Sequence, residues 1–232
     1  MKILILLIVL AGLLVLRPAV GRARTEITTT IQPAKPAPGL PSELTDRLQD
    51  GDVIFIRVSN FIFRHVAETT DSWESHVGIL LADTNGNWQV AESSFPHSKI
   101  TPLAKFIARS EHGRFYITRS RQPLSSAEKL ALRRAAGERM GIRYDLGFNY
   151  DSRRQYCSKF VHDVYQEATG VPIGSLTTFR QLLAVNPQAP MLFWRVWFCG
   201  FIPWDRRCVT TTSELKAQNF SLVYDSMKSV AK

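Results

Sequence analysis

The apolar residues of this 232-residue chain change their period partway along, and that change limits the folds open to it. Up to residue 119 they run in short segments rich in β-branched and aromatic residues: Asp52–Ser59, His76–Leu81, Trp88–Glu92 and Arg114–Arg119. Such segments predict strands, and the Asp-Thr-Asn-Gly between the second and third predicts a hairpin. After residue 125 the spacing becomes helical. Ser125-Ser126-Ala127-Glu128 resembles a capping box, and apolar positions continue to about Met140. From Cys157 to Thr169, residues Phe160, Val161, Val164, Tyr165 and Ala168 share one stripe, with Gly170 as a stop. Strands followed by helices predict an α+β domain, with a mainly antiparallel β-sheet packed against helices.

The folded part is expected to occupy residues 42–232, long enough to bury a core without disulfide staples. Residues 1–23 read as a signal peptide or signal anchor. Lys2 precedes an uninterrupted apolar run from Ile3 to Leu16, 14 residues against the roughly 20 of a spanning helix. Ala19, Gly21 and Ala23 offer small-residue cleavage sites. Residues 24–41, with a threonine run and four prolines, read as an extended linker. Export to the periplasm, or anchoring to the inner membrane facing it, is the expectation.

The formal charge is +9, or +6 without Lys2, Arg17 and Arg22 of the leader, which suits an anionic envelope or lipid surface. The basic residues are scattered, so no nucleic-acid partner is expected. The three cysteines are an odd number. Cys199 and Cys208 lie close enough in sequence to pair around a turn, or all three remain reduced. Neither cysteines nor histidines show the paired short spacing of a zinc site, so no metal or other cofactor is expected.

Cys157 stands at the predicted start of a helix, where free amides and the helix dipole favour a thiolate and offer donors to an oxyanion. A buried structural cysteine is the bland alternative. A thiolate nucleophile needs a base, and five histidines are available: His65, His76, His97, His112 and His162. His162 lies over a turn along the cysteine's own helix, and His97 and His112 read as loop residues. His76 opens a strand, which positions an imidazole more rigidly. Glu92 is an acid inside the apolar strand Trp88–Glu92 and therefore needs a reason. If the hairpin closes with an odd-numbered loop, even-numbered residues share a face and Glu92 stands beside His76. A two-residue loop places them on opposite faces and makes Glu92 an ordinary exposed carboxylate.

Taken in order, Gly51-Asp52-Val53-Ile54-Phe55, Ser75-His76-Val77-Gly78-Ile79, Val90-Ala91-Glu92-Ser93 and Tyr156-Cys157-Ser158-Lys159-Phe160-Val161 resemble the YaeF/YiiX group of permuted papain-like hydrolases. That group is related to the NlpC/P60 superfamily. The later Phe-Trp-Arg-Val-Trp-Phe and Ile-Pro-Trp-Asp-Arg stretches resemble its YebB-type members. The resemblance covers roughly residues 50–210. It implies a circularly permuted papain-like fold in which the histidine strand precedes the cysteine helix. It also implies Cys157 as nucleophile, His76 as base and Glu92 as the polar third residue. Lys159 departs from the acidic or amide residue common after Cys-Ser, which affects the adjacent subsite.

The expected activity is a cysteine hydrolase of amidase or peptidase type, cleaving amide or ester bonds in the cell envelope through an acyl-enzyme. The substrate is a peptide or acyl compound, with peptidoglycan and lipid as the candidate sources. The alternatives are a lipid-directed acyl hydrolase or acyltransferase at the membrane, and a catalytically silent envelope-binding module. The aromatic run Met191–Trp204 reads as a core-packing element, or else as the wall of an acyl groove or a stretch at a membrane interface. Nothing in the sequence fixes a role for Tyr144–Phe148, and the oligomeric state is not readable.

Overall fold

The computed structural model describes residues 42–228, so the leader and linker expectations lie outside the described residues. The expected α+β architecture is what forms. The main sheet draws on β1 (Val53–Val58), β2 (His76–Ala82), β3 (Trp88–Ser93), β4 (Ser98–Pro102), β5 (Ser110–Ser120) and β8 (Phe220–Asp225). Its order is β4-β3-β2-β1-β5-β8, and every neighbouring pair is antiparallel. A second, two-stranded sheet joins β6 (Leu176–Thr178) to β7 (Arg207–Val209). The helices are α1 (Ser42–Thr45), α2 (Phe61–Thr69), α3 (Leu103–Ile107), α4 (Ser126–Glu138), α5 (Cys157–Thr169), α6 (Phe179–Ala184), α7 (Met191–Trp197) and α8 (Thr211–Leu215).

The central strands are buried on both faces, so they read as apolar runs more than as alternation. Odd-numbered residues Val53, Phe55, Val77, Ile79 and Leu81 pack with Leu132, Phe160, Val161 and Val164 of α4 and α5. Even-numbered Ile54, Ile56, Leu80 and Val90 pack with Leu103 and Phe106 of α3 and with Leu44 beside them. Helices thus cover both sides. A third apolar cluster, including Phe148, Tyr156, Phe179 and Trp194, gathers around α6, α7 and the start of α5.

Local signals set several boundaries. Ser125 accepts from Glu128 N–H while the Glu128 carboxylate accepts from Ser125 N–H, the reciprocal cap expected for α4. Gly170 ends α5 with φ +73°, a left-handed position open to glycine. Turn chemistry sets the β2–β3 connection. Asp83 Oδ1 accepts from the N–H groups of Asn85 and Asn87, closing a five-residue loop over residues 83–87. That loop is longer than a minimal Asn-Gly turn, but its length is odd. Leu80 pairs with Val90 and Ala82 with Trp88, so even-numbered residues face even-numbered ones.

One of the two loop expectations needs correction. His97 does lie in the connection between β3 and β4, where it forms an isolated bridge with Arg143. His112 lies within β5, at an irregular step with φ +56°. The thiols of Cys157, Cys199 and Cys208 are all free; Cys199 is exposed and Cys208 buried, so the pairing considered for the last two does not form.

Candidate active site

Cys157 is the first residue of α5, and the chain leading to it is held on several sides. Asp145 N–H and Ser93 Oγ donate to the Gln155 carbonyl at 2.9 and 3.1 Å. The Gln155 side chain donates to the Arg139 carbonyl at 2.7 Å. Tyr156 precedes the helix without capping it, because its hydroxyl accepts from Val209 N–H at 3.0 Å. The amides of the first turn therefore stay available to an anion, and Ser158 N–H already stabilises the Cys157 sulfur.

His76, the first residue of β2, is buried and stacks on Phe106 of α3, with ring centroids 5.5 Å apart. Its Nε2 lies 2.6 Å from Glu92 Oε2. Its Nδ1 is buried without a hydrogen-bond partner, and the nearby Cys157 thiol favours the protonated ring. The even-to-even register explains the pairing. His76 and Glu92 point to the same face from adjacent strands, and Gly78 between them carries no side chain that would intervene.

Glu92 is fully buried and all of its acceptor capacity is used. Thr101 Oγ1 donates to Oε1 at 2.6 Å, and Arg109 Nη2 reaches both oxygens at 2.8 Å. Burial alone would raise the Glu92 pKa, but the hydrogen bonds and charges of His76 and Arg109 outweigh it and bring it to about 2. For His76, burial opposes the cation, while Cys157 and Glu92 favour it more strongly and lift the pKa to about 9. Burial likewise opposes the Cys157 thiolate, and His76, the Tyr144 hydroxyl and Ser158 N–H together lower the thiol pKa below its ordinary value. The Cys157 thiol, the His76 ring, the Glu92 carboxylate and the Arg109 guanidinium thus share one interior, where His76 favours the anion of both Cys157 and Glu92 and they in turn favour its cation.

Two parts of this arrangement carry no signal in the sequence. Arg109 follows α3 and Thr101 lies on β4, and only the pairing of β4 with β3 and the packing of α3 bring them to Glu92. Tyr144, in the loop between α4 and α5, places its buried hydroxyl 3.8 Å from the Cys157 sulfur. The other histidines are elsewhere. His65 pairs with Glu68 on α2, and His162 Nδ1 donates to the Ile173 carbonyl. Lys159, in the first turn of α5, turns back onto the preceding loop, donating to the Ser152 and Arg154 carbonyls.

Cys157 and Tyr144 also line a pocket of about 500 Å³, counting its open mouth. Phe63, Val66, Phe148, Phe179, Leu182 and Trp194 supply most of its apolar wall. The aromatic run expected either in the core or along a groove does both. Trp194 is buried and faces the pocket, while Leu192, Val196 and Phe201 are exposed.

Comparison with known proteins agrees with this architecture. A 140-residue stretch is 32% identical to the uncharacterized protein YiiX of Escherichia coli K12, spanning 60% of this chain and 68% of that one. A solved structure described as the metalloprotein yiiX of Escherichia coli O157:H7 superimposes with a TM-score of 0.71 at 28% identity, covering 77% of this chain and 97% of that chain. Residues 47–224 match the family described as "Permuted papain-like amidase enzyme, YaeF/YiiX, C92 family", and the chain, a papain-like thiol hydrolase in its fold and its cysteine-bearing helix, belongs to that family.

Proposed function

We propose that this amidase-type hydrolase works through a Cys157–His76–Glu92 triad and a thioester acyl-enzyme. The observation that carries the reading is the 2.6 Å hydrogen bond from His76 Nε2 to a carboxylate fixed by Arg109, which directs Nδ1 to Cys157. The Cys157 thiolate attacks the amide carbonyl carbon, and the C–N bond breaks as His76 passes its proton to the leaving nitrogen. Water, deprotonated by His76, then hydrolyses the thioester and regenerates the thiol. The oxyanion is bound by amides at the start of α5 and by Tyr144, whose hydroxyl is near enough to Sγ to reach an oxygen on the attached carbon. A silent binding module would not need the lowered thiol pKa of Cys157. Export, supported by the leader-like residues 1–23, makes cell-envelope amides or esters the proposed targets.

One relative is described as a metalloprotein. The donors here do not fit that description. Glu92 is occupied by a guanidinium, and among the described residues no group of three or more His, Cys, Asp or Glu side chains is placed to hold a metal ion. No step is assigned to a metal.

Labelling with an acyl-type thiol probe tests the triad. Cys157→Ala and His76→Ala each abolish labelling at neutral pH, and Tyr144→Phe lowers turnover by ~100- to 1000-fold, the range of a lost oxyanion donor. Full labelling of the histidine variant would count decisively against it.

A further inference from the structure

We propose that the outer face of α2 and α7 docks on an anionic phospholipid bilayer, so that the folded domain rests against a membrane surface. The proposal does not depend on the triad.

Among the described residues the five most exposed large apolar side chains are Phe201, Val185, Leu192, Phe61 and Val196, at 65–86%. All five lie in one corner of the fold, formed by α2, the end of α6, α7 and the connection after it. Contacts between these elements make the corner one surface. Leu192 and Val196 stand one turn apart on α7. Phe61, which opens α2, meets Phe193 of α7 with ring centroids 5.9 Å apart. Phe179 packs edge-on against Trp194 and Phe198, each at 5.5 Å, which seats α6 on α7. Beyond α7 the chain folds back through Gly200, whose φ is +93° and whose N–H donates to the Arg195 carbonyl, and Phe201 is left projecting. The helix α7 is already held by buried Trp194 on one side, so its second apolar side is surplus to the core.

Charge identifies what covers this face. Residues 185–204 contain no Asp or Glu, and their one cation, Arg195, is exposed between Leu192 and Val196 without an ion pair among the described residues. Arg64 adds an exposed cation one turn after Phe61, although it also reaches Glu111 at 3.6 Å. The neighbouring acids Glu68 and Asp205 are taken by His65 and Arg180. A second copy of the chain would offer Arg195 its own equivalent and no carboxylate. Anionic headgroups supply that charge, and the hydrocarbon boundary below them accepts the apolar side chains. Trp197 and Trp204, each partly exposed on the same stretch, suit the headgroup level. Residues 17–41 join the apolar run Ile3–Leu16 to the folded domain and reach no further than ~85 Å when extended. A leader retained in a bilayer would keep this face within reach of it.

The test mixes the full-length protein with phosphatidylglycerol–phosphatidylethanolamine vesicles whose acyl chains carry bromine, and follows tryptophan fluorescence. Three of the five tryptophans lie in residues 191–204 and residues 1–41 have none, so quenching reports this face and not the leader. Brominated vesicles are expected to quench emission that unbrominated ones leave intact. The double variant Leu192→Ser, Phe201→Ser loses most of that quenching with an unchanged melting temperature, because both side chains are exposed. Arg195→Glu loses it in the same anionic vesicles. Absence of quenching in the wild type, even where the protein floats with the vesicles, overturns the proposal, and so does quenching that the double variant retains. Sedimentation showing a dimer that the double variant dissolves would assign the face to a second copy and overturn it as well.

Discussion

Arg109→Met tests whether the buried carboxylate is held by the guanidinium. The methionine keeps most of the aliphatic stem that carries the guanidinium over the Phe106 ring, 4.9 Å from its centroid. It removes the charge that contacts both Glu92 oxygens at 2.8 Å. Charge centres about 4 Å apart at an effective dielectric of 20 interact by about 4 kcal/mol. The Arg109 side chain is 32% exposed, so solvent screens part of that, and the bonds from Thr101 and His76 remain. A loss of about 2–3 kcal/mol is expected, because Glu92 is left as an under-compensated buried charge. Urea denaturation measures it. A second readout separates this electrostatic role from simple packing. Removing one positive charge makes the interior less favourable to an anion, so the thiolate forms less readily and the pH midpoint of Cys157 alkylation by iodoacetamide moves upward. Stability within 0.5 kcal/mol of wild type together with an unchanged midpoint would refute the reasoning.

Other outcomes follow from the same interior. Glu92→Gln lowers the His76 pKa from about 9 toward its ordinary value, by at least one unit in an NMR titration. It also changes stability in acid. Glu92 titrates at about 2 in the folded state against an ordinary 4.5, so it contributes stability that is present above about 4.5 and lost as pH falls toward 2. The glutamine variant shows a flatter acid limb in denaturant midpoints, and an identical limb would exclude Glu92 as its source. Glu214 has the opposite sign. Burial without any hydrogen-bond partner raises its pKa well above 4.5, so its folded state takes up a proton and loses stability as pH rises above that value. Glu214→Gln should therefore gain stability relative to wild type between pH 5 and 8, and a pH-independent difference would oppose the assignment. Gly78→Ala places a Cβ 2.4 Å from Val90 Cγ1 and 3.0 Å from the Ala91 carbonyl, costing about 1–3 kcal/mol in a thermal melt. Adding Val90→Ala recovers only part of the loss, since the carbonyl contact remains.

Much of the scaffold is legible because its causes are local. The cap at Ser125–Glu128, the stop at Gly170 and the stripe from Phe160 to Ala168 each lie within a few residues, where periodicity and hydrogen-bond chemistry act directly. The start of α5 at Cys157 is legible for the same reason, and so are the free first-turn amides it implies. The hairpin is half legible. Its position follows from Asp-Thr-Asn-Gly, whereas its five-residue closure depends on how Asp83 collects the amides of Asn85 and Asn87. That closure alone decides whether Glu92 stands beside His76 or behind the strand.

What the sequence determined by itself was the class of fold, the residue that opens the helix and the short list of partners for it. Tertiary structure decided the chemistry around them. Arg109 lies 17 residues from Glu92 in sequence and Tyr144 lies 13 from Cys157, and no period links either pair. They meet because β4 pairs with β3, α3 packs across the sheet, and the loop after α4 is tied to Gln155. The same holds for the aromatic residues of α7, whose composition fits a core or a groove equally well. Only the packing of α2, α6 and α7 around Cys157 turns part of that stretch into the wall of a pocket, because burial is settled by neighbours far away in the chain.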